Sequence, residues 1–235
     1  MTLRMIERTQ QTAARVAGFL YLATLVIQMF AELYLRAPLL VRGDAAQTAT
    51  NIAASEELFR ISIVSILMGT AGRVGLLVAL YVVLEPINRH AALLAAFWRL
   101  VECAVFAIIA LNDFLALSLL SGAEYLRAID TKELQALARM FLSVRHSGGL
   151  IGGVFLGLGS TVFAYLWLKS RYIPRALAAS GIFSSLVLAA GILSIMIVPG
   201  LTSVVGPAYW APLFIFEVAL GFWLLVKGIR APRVE

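Results

Sequence analysis

The sequence predicts an all-α integral membrane bundle of six transmembrane helices, with short amphipathic helices in the outer loops and a single transmembrane domain over residues 1–235. Three observations predict it. Of 235 residues, 61% are hydrophobic and only 14% charged, and mean hydropathy is +0.93, whereas soluble domains run about half apolar and a quarter charged. Apolar stretches long enough for a bilayer core, which takes about 20 residues of helix, lie near residues 15–35, 58–84, 91–120, 141–168, 176–198 and 209–227. The seven prolines (Pro38, Pro86, Pro174, Pro199, Pro207, Pro212 and Pro232) all fall outside or at the edges of those stretches, where a residue that breaks helix interiors belongs.

The first stretch follows a basic segment, Met1 to Arg15, in the manner of a secretory signal. It continues past Gln28 to Leu35 without a small-residue cleavage site, so it reads as a retained first helix. After it, Asp44 followed by Gln47 resembles a capping box opening an alanine-rich helix. Asp130 followed by Glu133 opens another, bearing Leu134, Leu137, Ala138 and Phe141. The second is expected to lie on the membrane surface or to cover the mouth of the bundle.

With the N-terminus inside, the inner segments carry ten basic residues: Arg4, Arg8, Arg15, Arg89, Lys169, Arg171, Arg175, Lys227, Arg230 and Arg233. The outer segments carry five, namely Arg36, Arg42, Arg127, Lys132 and Arg139. The positive-inside rule then places both termini in the cytoplasm of a multi-pass protein of the cell inner membrane. The net charge of +6 is thereby explained by topology, and nucleic acid is not an expected partner; membrane lipids are. Tyr209 and Trp210 on one side, with Tyr165, Trp167, Tyr172 and Trp223 on the other, are expected to anchor at the two interfaces.

Charges inside such helices are costly, about 2.5 to 3.5 kcal/mol at the centre on insertion scales, so they face the interior and pair. At about 1.5 Å per residue, Arg73 lies roughly 17 Å from the cytoplasmic end of its helix, Arg99 roughly 14 Å, Glu102 roughly 18 Å and Glu217 roughly 15 Å. Three helices deliver them to one depth, and Arg99 and Glu102 share a face at i, i+3. They are the expected ligand-binding residues. The alternative is a neutral clamp that only fixes packing.

Glu32, Arg60, Asn112, Asp113, Arg145 and His146 make a second, outer polar layer by the same rise. Glu32, Asp113 and His146 are plausible metal ligands by chemistry, but no local ligand motif joins them and no metal is expected. Polar faces accompany both layers: Tyr21, Thr24, Gln28 and Glu32; Ser62, Ser65 and Arg73; Arg99, Glu102 and Asp113. Gly149, Gly153 and Gly157 repeat a small-xxx-small pattern, suited to close helix approach and to a homo-oligomer. The lone Cys103 reads as buried filler. No phosphate loop, HExxH or GxSxG occurs, so neither ATP-driven chemistry nor a bound cofactor is expected.

Several runs together resemble the bacterial domain of unknown function 4386 family. They are GDAAQTATNI from Gly43 to Ile52, leading to SEELFR from Ser55 to Arg60; AGFLYL from Ala17; LYVVLEPIN from Leu80; SRYIPR from Ser170; and WLLVKG from Trp223. The resemblance spans nearly the whole chain and implies a polytopic membrane protein without an assigned activity, so it carries over no catalytic residue. It does single out Asp44, Thr48, Asn51 and Arg60. Asp44 is explained as a cap, while Thr48 and Asn51, three apart, are expected to dock on the outer polar layer.

Three readings follow. The first is a bundle that binds or transports a small or lipid-like ligand through a polar intramembrane cavity. The second is a non-catalytic membrane subunit or regulator. The third is an intramembrane enzyme acting on a lipid or quinone, with His146 and Glu32 or Asp113 as acid and base.

Overall fold

The computed structural model describes residues 8–41, 43–121, 123–126, 128–202 and 208–230. Arg4, Arg42, Arg127, Pro207, Pro232 and Arg233 lie outside them. Within the described residues there are seven α-helices and no strand: α1 (Arg8–Phe30), α2 (Ala45–Ala54), α3 (Glu56–Leu84), α4 (Arg89–Leu120), α5 (Thr131–Ser170), α6 (Arg175–Ile197) and α7 (Ala211–Val226). Six segments are long and apolar enough to cross a membrane: Arg8–Leu39, Glu56–Leu84, Arg89–Leu120, Thr131–Ser170, Arg175–Ile197 and Ala208–Val226. Large apolar side chains such as Phe183, Ile215 and Val78 are exposed on them, as lipid-facing surface requires. The chain is a multi-pass membrane protein.

Local chemistry sets the boundaries. The Asp44 carboxylate caps α2 by accepting from the Gln47 amide at 2.8 Å, but Gln47 turns its side chain forward to Asn51, so only half of the capping box forms. Asn88 caps α4 through the Ala91 amide, and Asp130 accepts from the Lys132 amide ahead of α5. Pro174 precedes α6, and Pro212 lies in the first turn of α7.

Two expectations are corrected here. The amphipathic stretch after Asp130 is no separate surface helix: it is the start of the 40-residue α5. Nothing between Thr131 and Ser147 breaks a helix, and Ala138 and Leu142 are buried against Leu117 and Phe59. Trp167 and Tyr172 are core residues, 1% and 4% exposed, and not interface anchors.

Contacts cluster into two compact units. The first comprises Met1–Ala23, Gly72–Cys103 and Leu150–Glu235; the second comprises Thr24–Ala71 and Ala104–Gly149. The first is built on a core of Leu76, Leu80, Val83, Ala92, Leu166, Trp167, Leu188, Leu220 and their neighbours, including the free, buried Cys103. Its last segment is tied down where the Arg230 amide donates to the Tyr172 carbonyl and the Ile229 amide to the Gln11 side chain. Within it Gly153 and Gly157 serve the chain's own packing: a Cβ at Gly157 would meet Ala189 and the Ser185 carbonyl of α6 at 2.9 Å, and one at Gly153 would meet Ile192 and Trp210.

The second unit has its own core, with Leu39, Ile52, Phe59, Ile63, Leu117 and Leu142 buried. Here the first span ends unusually. Ala31–Arg36 widens into a π-helical turn, in which the Ala37 amide bonds the Glu32 carbonyl, before a short 3-10 turn, Ala37–Leu39. Pro38 supplies the cause: it has no N–H to give and its ring crowds the carbonyl one turn back, so the regular ladder cannot run through it. Thr48 and Asn51 of α2 do not reach the outer polar layer. Thr48 exchanges hydrogen bonds with Val41 and Asp44 backbone, and the Asn51 amide donates to the Leu39 carbonyl. They fasten the chain entering α2, whose backbone groups need partners.

Candidate functional site

Each unit encloses a charged network of its own. In the first, α4 offers Arg99 and Glu102 on adjacent turns, α3 supplies Arg73, α7 supplies Glu217 and α5 supplies Ser160. Arg73 Nη1 donates to Glu102 Oε1 at 3.4 Å, while Arg99 Nη1 donates to Glu217 Oε1 at 3.2 Å and to Ser160 Oγ at 2.9 Å. Arg99 Nε and Glu102 Oε2 lie 3.1 Å apart, close enough to attract but not aligned for a hydrogen bond. Charges thus alternate along Arg73, Glu102, Arg99 and Glu217 and sum to zero. The sequence brought these four to one depth, and the structure joins all four. It adds Ser160, whose small side chain in a glycine-rich helix gave no sign of the role.

Arg99 fits because α5 is narrow opposite it. A Cβ on Gly159 would meet Arg99 Cγ at 2.6 Å and the Ala95 carbonyl at 2.9 Å, so only glycine lets the guanidinium stem pass. Tyr21 of α1 is buried in the same unit.

In the same unit an apolar groove of about 210 Å³ runs between α3 and α4, lined by Val74, Leu77, Val78 and Tyr81 with Leu93, Ala96, Phe97 and Leu100. The two sets repeat i, i+3, i+4, i+7 on their helices, one face of each. Leu77 stands one turn from Arg73 on the same face of α3. Within the network, Arg73 and Glu217 are 12% and 11% exposed, against 2% for Glu102 and 4% for Arg99.

In the second unit, Arg36 grips Asp113 with both terminal nitrogens, at 2.7 and 2.9 Å. Arg145 reaches Asp113 Oδ2 at 3.1 Å and Glu32 Oε2 at 3.0 Å. Of the residues expected in this layer, Glu32, Asp113 and Arg145 are brought together, and Arg60 and His146 are not. Arg60 is bound to Glu56 one turn away and lies over the Phe114 ring; its place on α3 points it to the surface. The Asn112 amide donates to its own helix at Ile108. His146 is exposed, and no hydrogen bond joins it to Glu32 or Asp113, both of which Arg145 holds. Among the described residues no three His, Cys, Asp or Glu side chains gather as a metal would need.

Arg36 is the residue that sequence reasoning missed. Two positions before Pro38 it looked like a loop charge; the π-helical turn swings it inward, where it is 1% exposed. The nearby proline was the available signal, since a proline breaks the regular hydrogen-bond ladder of the turn before it.

Residues 16–228 match the family described as Domain of unknown function (DUF4386). No curated protein and no solved structure matches the chain.

Proposed function

We propose that this chain, which belongs to the DUF4386 family, binds an amphipathic, lipid-like molecule in its first unit, the apolar tail in the α3–α4 groove and an anionic head at Arg73. The observation that carries the reading is the groove itself: eight apolar residues on two membrane-spanning helices, with Leu77 one turn from Arg73 on α3. Binding sites of this kind are mainly apolar with a few placed polar groups, and an intramembrane ionisable residue is by default a candidate for a ligand or ion path. The excess of basic residues in the segments assigned to the cytoplasm supports an inner-membrane protein with both termini inside.

The test is thermal unfolding of the detergent-purified protein against a panel of lipids, quinones and small anions, comparing wild type with Arg73→Met and Ala96→Trp. A ligand that raises the wild-type midpoint but neither variant's supports the site. Equal shifts in all three proteins would overturn it.

A second reading is favoured by one specific feature, the neutrality of the Arg73, Glu102, Arg99 and Glu217 network. In that reading the chain is a membrane subunit or regulator and the charges only fix helix packing. Arg73→Met would then unfold early and no compound would shift the wild type.

A further inference from the structure

The geometry points to a second, independent site in the other unit: a site for an anionic oxygen group, carboxylate or phosphate, at Arg145 and Arg36, with the Glu32 carboxylate as a built-in competitor that occupies it. The argument begins with the imbalance around Asp113. This single buried carboxylate serves two guanidiniums, Arg36 through a two-pronged bond and Arg145 through one. Without Glu32 the group would carry one net positive charge. Glu32 supplies the missing negative charge through Arg145 Nη1, yet it differs from the others in setting: its side chain is 48% exposed, while those of Arg36 and Asp113 are 1% exposed.

Glu32 lies three residues from the outer end of its apolar stretch, near the interface, where water competes for both partners of an ion pair and the pair contributes little, whereas a charge left unpaired inside costs much. Glu32 therefore leaves Arg145 easily. Arg36 and Asp113 stay. What remains is a guanidinium, 20% exposed, backed by a second one and aimed where a carboxylate has just been: the fork geometry that suits carboxylate and phosphate oxygens.

Two further observations support exchange. The Nε atoms of both Arg36 and Arg145 are buried without an acceptor, and buried donors left over in a folded protein call for an explanation. Glu32 meets Arg145 at Nη1 through Oε2 and leaves both Nε atoms without an acceptor, which the oxygens of an anion seated deeper would supply. Glu32 and Arg36 also both stand on the π-helical turn Ala31–Arg36, a local form frequent at functional sites.

Inorganic phosphate and phosphatidylglycerol carry the same anionic oxygens, one free and one as a lipid head group. The experiment uses the full chain in nanodiscs of phosphatidylcholine, titrated with sodium phosphate against sodium chloride at matched ionic strength, and a second set of nanodiscs containing phosphatidylglycerol. The thermal midpoint is followed for wild type, Glu32→Gln and Arg145→Gln, the last retaining the two-pronged Arg36–Asp113 pair so that it folds. Phosphate should raise the wild-type midpoint saturably, and Glu32→Gln should reach half-saturation at about threefold to fivefold lower phosphate, the strength of one exposed ion pair. Arg145→Gln should not respond. If phosphatidylglycerol gives this pattern and free phosphate does not, the anion is a head group. Identical responses from wild type and Glu32→Gln, an undiminished response from Arg145→Gln, or no response to either anion would overturn the proposal.

Discussion

Arg36 and Asp113 form a bidentate ion pair at 2.7 and 2.9 Å, both side chains 1% exposed. Joining them ties the end of the first span to the last third of α4. Breaking such a pair from one side strands the other charge, so Asp113→Asn should lower stability by about 3 to 5 kcal/mol. Replacing both, as Arg36→Met with Asp113→Leu, should recover most of it. Denaturant titration in mixed micelles measures both, and equal losses in the single and double variants would contradict the account.

Gly159 and Gly149 separate packing from propensity. Gly159→Ala drives a methyl into Arg99 Cγ and the Ala95 carbonyl and should cost about 1 to 3 kcal/mol, as overpacking does. Gly149→Ala meets nothing within 4 Å and should be neutral or stabilising by up to about 1 kcal/mol through helix propensity. The same titration ranks the two.

At α2 the cap and the fastening act on one short helix. Asp44→Ala removes the bond to the Gln47 amide and should cost the helix about 0.5 to 2 kcal/mol. Hydrogen exchange should quicken over Ala45–Ala54 and remain unchanged over α6. Thr48→Ala, which loses its bonds to Val41 and Asp44 backbone, should quicken the same amides.

Cys103 is buried in the core of the first unit. A maleimide should therefore leave it unmodified in folded protein and label it fully once the chain is denatured, since reactivity needs an accessible thiolate. Labelling at equal rates in both states would show that the core around Glu102 opens.

What the sequence disclosed follows from what repeats in it. Apolar length and proline position placed all six spans, because both act over a whole helix. The depth of Arg73, Arg99, Glu102 and Glu217 was legible because rise per residue is constant along a regular helix. The same counting failed at Arg36, where a wide turn breaks the regularity, and at Arg60 and His146, where depth was read but the side of the helix that faces inward was not. Ser160 and the α3–α4 groove were invisible for a related reason: both depend on which helices are neighbours, and nothing local encodes that.

The central claim, a lipid-like ligand held between α3 and α4 beside Arg73, is tested most directly by photocrosslinking. A lipid with a diazirine on its acyl chain is incorporated into nanodiscs with the full protein, irradiated, and its adducts are mapped by mass spectrometry. The account predicts adducts concentrated on Val74–Tyr81 and Leu93–Leu100, reduced in Ala96→Trp. Adducts spread evenly over the exposed apolar faces, including Phe183 and Ile215, and unchanged by Ala96→Trp would contradict it.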